Sequence, residues 1–191
     1  SIAVANHPFN VNISNMSTGA LPDLSSYDND ATLGGAGHGT PPVWNATCIV
    51  GGCYTFNSSN SIDLGPSTDF DTDTFSMSFW VYPENVVSTL PQQTFILGRE
   101  EYLVQGFRAG IRTDFGFEWW STESGGSFTV NSGSITENRW YHLVLSYDGT
   151  TARMYVNGTL VDSDVGTYVI PSTDDLVISG GAGGTTGANA S

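Results

Sequence analysis

The sequence predicts an all-β protein of a length common among sandwiches, and three observations carry the all-β reading. Apolar residues recur with a period of two along several runs, as in strands that bury one face. Gly, Ser, Thr and Asn crowd between these runs and mark short strands joined by many turns. No segment keeps a helical period over three turns. The 191 residues are most simply one domain, with a Gly/Thr/Ala-rich tail from about residue 180.

Residues 1–16 open with alternating apolar positions (Ile2, Val4, then Phe9, Val11 and Ile13) and predict one or two strands. Residues 34–42 are a Gly/Pro loop. Asp69, Asp71 and Asp73 invite an EF-hand reading, which fails because Thr74 holds the place of the loop glycine and Trp80 that of the bidentate Glu. They read as an acidic turn ahead of a strand. That strand, T-F-S-M-S-F-W-V-Y-P over residues 74–83, puts Phe75, Met77, Phe79 and Val81 on one face and Ser76, Ser78, Trp80 and Tyr82 on the other. Short strands follow over 94–97 and 102–104. Phe107, Ala109 and Ile111 then oppose Arg108, Gly110 and Arg112, and Phe115, Phe117 and Trp119 oppose Gly116, Glu118 and Trp120. Residues 127–130 form one more short strand.

Residues 139–162 organise the chain as a β-meander. Tyr141, Leu143, Leu145 and Tyr147 alternate with Trp140, His142, Val144 and Ser146, which predicts a strand covered on both sides. Asp148-Gly149 breaks it. Ala152, Met154 and Val156 share one face of the next strand, with Arg153 and Tyr155 on the other. Asn157-Gly158 is a two-residue hairpin signal, because a type I′ turn needs φ > 0 at both central positions.

The strand W-Y-H-L, the following Y-D-G, the strand ending in V-N-G, and F-S-M-S-F-W-V-Y-P together resemble the laminin-G-like branch of the concanavalin A-like jelly rolls. The resemblance spans roughly residues 22–162. It implies a two-sheet antiparallel jelly-roll sandwich and a non-catalytic extracellular module for adhesion, carbohydrate contact or assembly, often with Ca2+. P-D-L-S-S-Y-D-N-D-A-T-L-G-G resembles the family's opening loop. Its acids Asp28 and Asp30 read either as a Ca2+ site completed by carbonyls or as turn formers. C-Y-T-F-N-S-S-N-S-I-D-L, residues 53–64, looks like the family's hairpin. The chain departs from the family at its end: D-L-V-I-S runs into a Gly-rich tail where a closing strand is expected. A sandwich lacking that strand would be a fragment, be filled by the N-terminal residues, or accept a strand from a neighbouring copy and grow into a filament.

Charge and motif content narrow the function. The net charge is −14, with no lysine and five arginines, Arg99, Arg108, Arg112, Arg139 and Arg153. That balance argues against nucleic acid, whose binding needs basic residues, and against anionic membranes. No stretch approaches the ~20 apolar residues that span a bilayer. The chain starts at Ser1 without an initiating Met, which reads as a processed protein or an excised piece. Cys48 and Cys53, the two cysteines, read as a disulfide across I-V-G-G, or as free thiols or half of a metal site. Six N-x-S/T sequons, at Asn12, Asn15, Asn45, Asn57, Asn157 and Asn189, point to a glycosylated surface protein.

Retaining glycoside hydrolysis needs two carboxyls about 5–5.5 Å apart, set by an alternating motif such as E-x-D-x-x-E. None is present: Asp114 and Glu118 are separated by F-G-F, and Glu100 and Glu101 are adjacent. Binding is the better expectation. Trp80, Tyr82, Arg108, Arg112, Glu118 and Trp120 are predicted to project from the polar faces of neighbouring strands, where they read either as a sugar platform, aromatic rings stacking and charged groups bonding hydroxyls, or as structural residues with the Trp rings covered by a loop or the second sheet. The partner is then a carbohydrate or cell-surface protein, or another copy of the chain. His142 reads as a framework residue.

Overall fold

Period-two alternation becomes two facing sheets. The computed structural model describes residues 3–10, 12–13, 20–34, 39–57, 59–84, 86, 94–101, 105–112, 114, 116–121, 127–171 and 174–179. The larger sheet has eight strands: β1 (Ala20–Leu21), β2 (Ala31–Leu33), β5 (Ser61–Asp63), β14 (Val177–Ser179), β7 (Thr94–Glu101), β8 (Gln105–Arg112), β9 (Gly116–Ser121) and β10 (Thr129–Asn131), in that spatial order. The smaller is β13 (Thr159–Val165), β12 (Thr151–Val156), β11 (Tyr141–Tyr147) and β6 (Phe75–Val81). A ribbon of β3 (Val43–Asn45) and β4 (Cys53–Thr55) stands apart. The strand ladders are antiparallel, and among the described residues helix is limited to a 3-10 turn at Thr68–Phe70.

The core lies between the sheets. Phe107, Ala109 and Ile111 of β8, Phe117 and Trp119 of β9 and Val130 of β10 meet Tyr141, Leu143, Leu145 and Tyr147 of β11 and Ala152 and Met154 of β12. Phe75, Met77, Phe79 and Val81 of β6 pack against this cluster as predicted, partly buried. A large apolar side chain fully buried in this way contributes roughly 1.5–3 kcal/mol. A second cluster (Ile13, Leu21, Ala31, Leu33, Tyr54, Ile62, Leu64) fills the β1–β2–β5 end.

The meander forms as predicted. Asn157 and Gly158 have φ of 50° and 81°, the pattern of a type I′ turn. The Asp148 side chain accepts from the amides of Thr150 and Thr151 and binds Arg153 at 2.6 Å. The Arg153 guanidinium, aided by those amides, holds its carboxyl below the usual range. Five expectations are corrected. β11 alternates buried and half-buried residues, so its outer side is only partly covered. β7 runs to Glu101 instead of ending at residue 97. The described residues of 1–16 form no strand, although Ile13 is buried. Residues 53–64 are no hairpin: β4 pairs with β3 and β5 with β2 and β14. Asn60 redirects the chain there, donating to the carbonyl of Pro41 at 3.0 Å and to the Thr40 hydroxyl at 2.9 Å.

The fifth correction concerns the closing strand. Val177–Ser179 is that strand: it pairs with β5 on one side and β7 on the other, inside the larger sheet. V-I-S is enough, because even a three-residue segment between two established strands satisfies ladders on both sides. The gap that strand donation would fill at this position is therefore closed by the chain itself. The predicted strand at 102–104, Phe115, Ile2, Val11, residues 35–38 of the Gly/Pro loop and the tail from 180 lie outside the described residues.

The β10 edge is also closed. Thr129 and Asn131 point their amides away from β9, and the carboxylates of Asp164 and Asp162 on β13 accept them, each at 2.9 Å. Two side chains thus stand where a further strand would bind. The double change Asp162→Ala/Asp164→Ala is expected to cost about 1–2 kcal/mol and to shift light-scattering mass upward with concentration relative to the parent chain. An unchanged mass distribution would show that the two carboxylates do not guard this edge.

Candidate functional site

The predicted binding residues form two groups on opposite outer faces, not one. β6 pairs with β11, whereas Arg108 and Arg112 lie on β8 and Glu118 and Trp120 on β9. The two sheets turn their apolar sides toward each other, so their polar sides point apart.

On the smaller sheet, antiparallel pairing sets Trp80 opposite His142. Their rings lie 5.0 Å apart at 36°. The Ser78 hydroxyl and His142 Nε2 are 2.9 Å apart, which fixes the imidazole under the indole. Beyond the end of β6, Tyr82 meets Trp140 with centroids 5.3 Å apart. Trp80 is 47% exposed and Tyr82 37%, unusual for rings this large. Across β11, Asn157 continues the row: its Oδ1 accepts the His142 amide at 2.9 Å, and its own amide donates to the His142 carbonyl at 2.8 Å. The result is an open aromatic ledge with hydroxyl, imidazole and amide groups beside it. His142, expected only as framework, is part of the ledge. Trp140, which the sequence marks only as part of the strand motif, joins it too; the signal for both is the β6–β11 register, which a single sequence does not display.

On the larger sheet the charged groups are engaged with one another. Arg112 binds Asp114 through Nε and Nη2 at 3.1 and 2.8 Å and faces Glu118 at 3.7 Å. Burial pushes the Glu118 carboxyl up, and Arg112 only partly offsets it. Arg108 is buried, lying over the Phe95 ring at 4.7 Å. Burial lowers its pKa to about 10. Gly98 stands opposite Arg108, and a Cβ there would come within 3.1 Å of the Phe107 carbonyl and 3.5 Å of Arg108 Cγ. Trp120 is half-buried, 6.3 Å from Phe95. This face is packed where the opposite one is open.

In the opening loop the central acid is Asp23, which the sequence reading passed over. It is buried, and its carboxylate accepts the amides of Asn6, Ser25 and Asn29 and the Ser25 hydroxyl at 2.6–3.0 Å. Burial pushes its pKa up, but these hydrogen bonds outweigh it and hold the carboxyl below its ordinary value. Asp30 accepts the Asp23 amide at 2.8 Å, and Asp28 is exposed with φ 54°. Asp30 thus caps the turn through one carboxylate oxygen, and Asp28 sits in it with a left-handed backbone. Among the described residues no group of three or more His, Cys, Asp or Glu could hold a metal ion. A depressed carboxyl contributes stability above its unfolded pKa and loses it as pH falls through the folded value. Asp23→Asn is therefore expected to cost about 1–2 kcal/mol at neutral pH and to flatten the acid limb of the stability curve, read by denaturant melts at several pH values.

Cys48 and Cys53 form the disulfide, with Cα atoms 5.9 Å apart, around the exposed Ile49 and Val50. Asn45 and Asn57 are exposed and turn Oδ1 onto the amides of Thr47 and Ser59 at 2.9 and 2.8 Å. Asn12 and Asn157 are also exposed, whereas Asn15 and Asn189 lie outside the described residues. The acidic turn places Asp71 against the buried Arg99 at 2.7 Å. No described helix is long and apolar enough to cross a membrane.

A family model described as the concanavalin A-like lectin/glucanases superfamily matches residues 56–191. A comparison with curated protein sequences finds no match. Among solved structures the chain is similar to domain 4 of AbnA, a GH43 extracellular arabinanase from Geobacillus stearothermophilus, in complex with arabinotriose. Identity is 17% and the TM-score 0.66, covering 93% of this chain and 82% of that one. It is similar to the receptor binding domain of botulinum neurotoxin type G at 20% identity and TM-score 0.64, covering 94% of this chain and 43% of that one. The binding domain of botulinum neurotoxin DC in complex with SialylT matches at 16% and 0.63, covering 83% and 40%. These likenesses show a shared fold, and with the family match over more than half its length the chain belongs to the Laminin_G_3 family of the concanavalin A-like lectin/glucanases superfamily.

Proposed function

We propose that the protein is a non-catalytic carbohydrate-binding module of the extracellular space, and that it holds sugar on the Trp80–His142 and Tyr82–Trp140 ledge. The observation that carries this reading is the exposure of two large rings, each braced by a second ring: His142 of β11 under Trp80, and Trp140, just ahead of β11, beside Tyr82. A braced ring presents its apolar face at little entropic cost, and a pyranose or furanose has an apolar face to match. Ser78, His142 and Asn157 supply hydrogen bonds at the margin. The neighbours solved with arabinotriose and with SialylT support a sugar as the ligand class. The disulfide supports an oxidising compartment.

Arg112, Asp114 and Glu118 are given no catalytic part, because the arginine between the carboxyls serves them as a structural counter-ion. Asp30 accepts the Asp23 amide through Oδ1, which supports a turn-forming part for it, and the EDTA arm below tests Ca2+ directly. The test is a fluorescence titration of the chain with a glycan panel that includes arabinotriose and sialylated oligosaccharides, with and without EDTA. Saturable tryptophan quenching by at least one glycan, unaltered by EDTA, is the expected result. No saturable response across the panel would remove the reading.

A further inference from the structure

Asn157 is both the hairpin tip and a sequon, and it stands in the same cross-strand row as the ledge. We propose that an N-linked glycan on Asn157 folds back over His142 and Trp80, so that the module's own sugar covers its sugar platform. This rests on the reading of that ledge as a sugar platform.

The geometry sets Asn157 apart from the sequons at Asn45 and Asn57. Asn45 and Asn57 turn Oδ1 onto the residue two positions ahead, within their own turns. Asn157 instead gives Oδ1 to the His142 amide across the strand. N-glycosylation leaves this bond intact: Nδ2 displaces polyprenyl diphosphate from the anomeric carbon of a polyprenyl-diphosphate oligosaccharide. The C1–O bond breaks, the C1–N bond forms, and the proton lost by Nδ2 leaves with the diphosphate. The amide keeps its oxygen, so His142 still anchors it, and the first sugar grows from a fixed point beside the imidazole. Asn157 and Trp80 flank His142 in adjacent strand positions, so they are separated by two strand spacings, about 10 Å. That is the reach of the first two sugar rings. Trp80 stands 47% exposed on the edge strand β6, so a glycan laid from Asn157 across His142 covers a ring that otherwise faces water.

The experiment uses the full chain secreted from a eukaryotic host, beside Thr159→Ala, which removes the acceptor signal but keeps Asn157 and its bond to His142, and Thr159→Ser, which restores the signal. Mass spectrometry reads occupancy, and hydroxyl-radical footprinting reads oxidation at each Trp. Expected are an occupied Asn157 in the parent and in Thr159→Ser, Trp80 oxidation rising severalfold in Thr159→Ala, and Trp120 unchanged. Arabinotriose, used as probe, is expected to bind Thr159→Ala more tightly than the parent. An unmodified Asn157, or an occupied one with equal Trp80 oxidation in all three chains, would overturn the proposal. Protection of Trp80 with no glycan binding to any form would instead leave the fold-back intact and remove the binding function.

Discussion

Trp80→Ala is expected to weaken glycan binding by about 2 kcal/mol or more, roughly thirtyfold, while leaving the melting temperature nearly unchanged. The two effects separate because the indole is on the surface. It is 47% exposed and touches His142 and not the inter-sheet core. Removing it deletes one half of the stacking surface and frees the imidazole, which keeps only Ser78. Tyr82→Ala is expected to act in the same direction and less strongly, since Trp140 remains to offer a ring. Trp120→Ala is the control: that ring packs beside Phe95 on the opposite face and is expected to leave affinity unchanged. Equal losses for Trp80→Ala and Trp120→Ala would show a general loss of structure.

Trp119→Ala, one residue along, is expected to have the opposite signature. Its ring is fully buried between the sheets, with Phe128 at 4.7 Å, Phe75 at 6.0 Å and Phe107 at 6.4 Å. Three aromatic neighbours cannot all collapse into the space, so a loss of about 3–5 kcal/mol follows, or roughly 10 °C or more in melting temperature. Trp119→Phe is expected to cost far less. The indole Nε1 is buried without a hydrogen-bond partner, so phenylalanine removes an unsatisfied donor as it gives up volume. A thermal melt of both variants checks the pair. Near-equal losses would mean that the orphaned donor carries no penalty.

Adjacent tryptophans with such different roles show what the sequence makes legible. Strand parity alone sends Trp119 inward and Trp120 outward, and sends Phe79 inward and Trp80 outward; the structure agrees at all four. The Asn157-Gly158 turn was equally plain, because few residues tolerate two positive φ angles in succession. Parity does not say which strands are neighbours. It therefore merged Trp80 with Arg108 and Trp120, although β6 and β8 belong to different sheets. For the same reason His142 and Trp140 were not recognised as ring partners. Pairing between strands some sixty positions apart is set by the whole core, and one sequence carries no direct record of it. The β14 strand was missed for a related reason. Three residues ahead of a Gly-rich tail have little propensity of their own and become a strand only because β5 and β7 flank them. Asp23 is not legible from spacing, because its importance comes from burial and from amides as far away as Asn6.

The central claim is that sugar lies on the Trp80–His142 ledge, and the five indole N–H signals of the chain report on it directly. The measurement is a nitrogen–proton correlation spectrum of the labelled protein, lacking the Asn157 glycan, during titration with the best glycan of the panel. The account predicts that the Trp80 indole signal moves and saturates with Trp140 following, while Trp119 and Trp120 stay in place. Movement of Trp120 without Trp80 would put the site on the larger sheet and contradict the account.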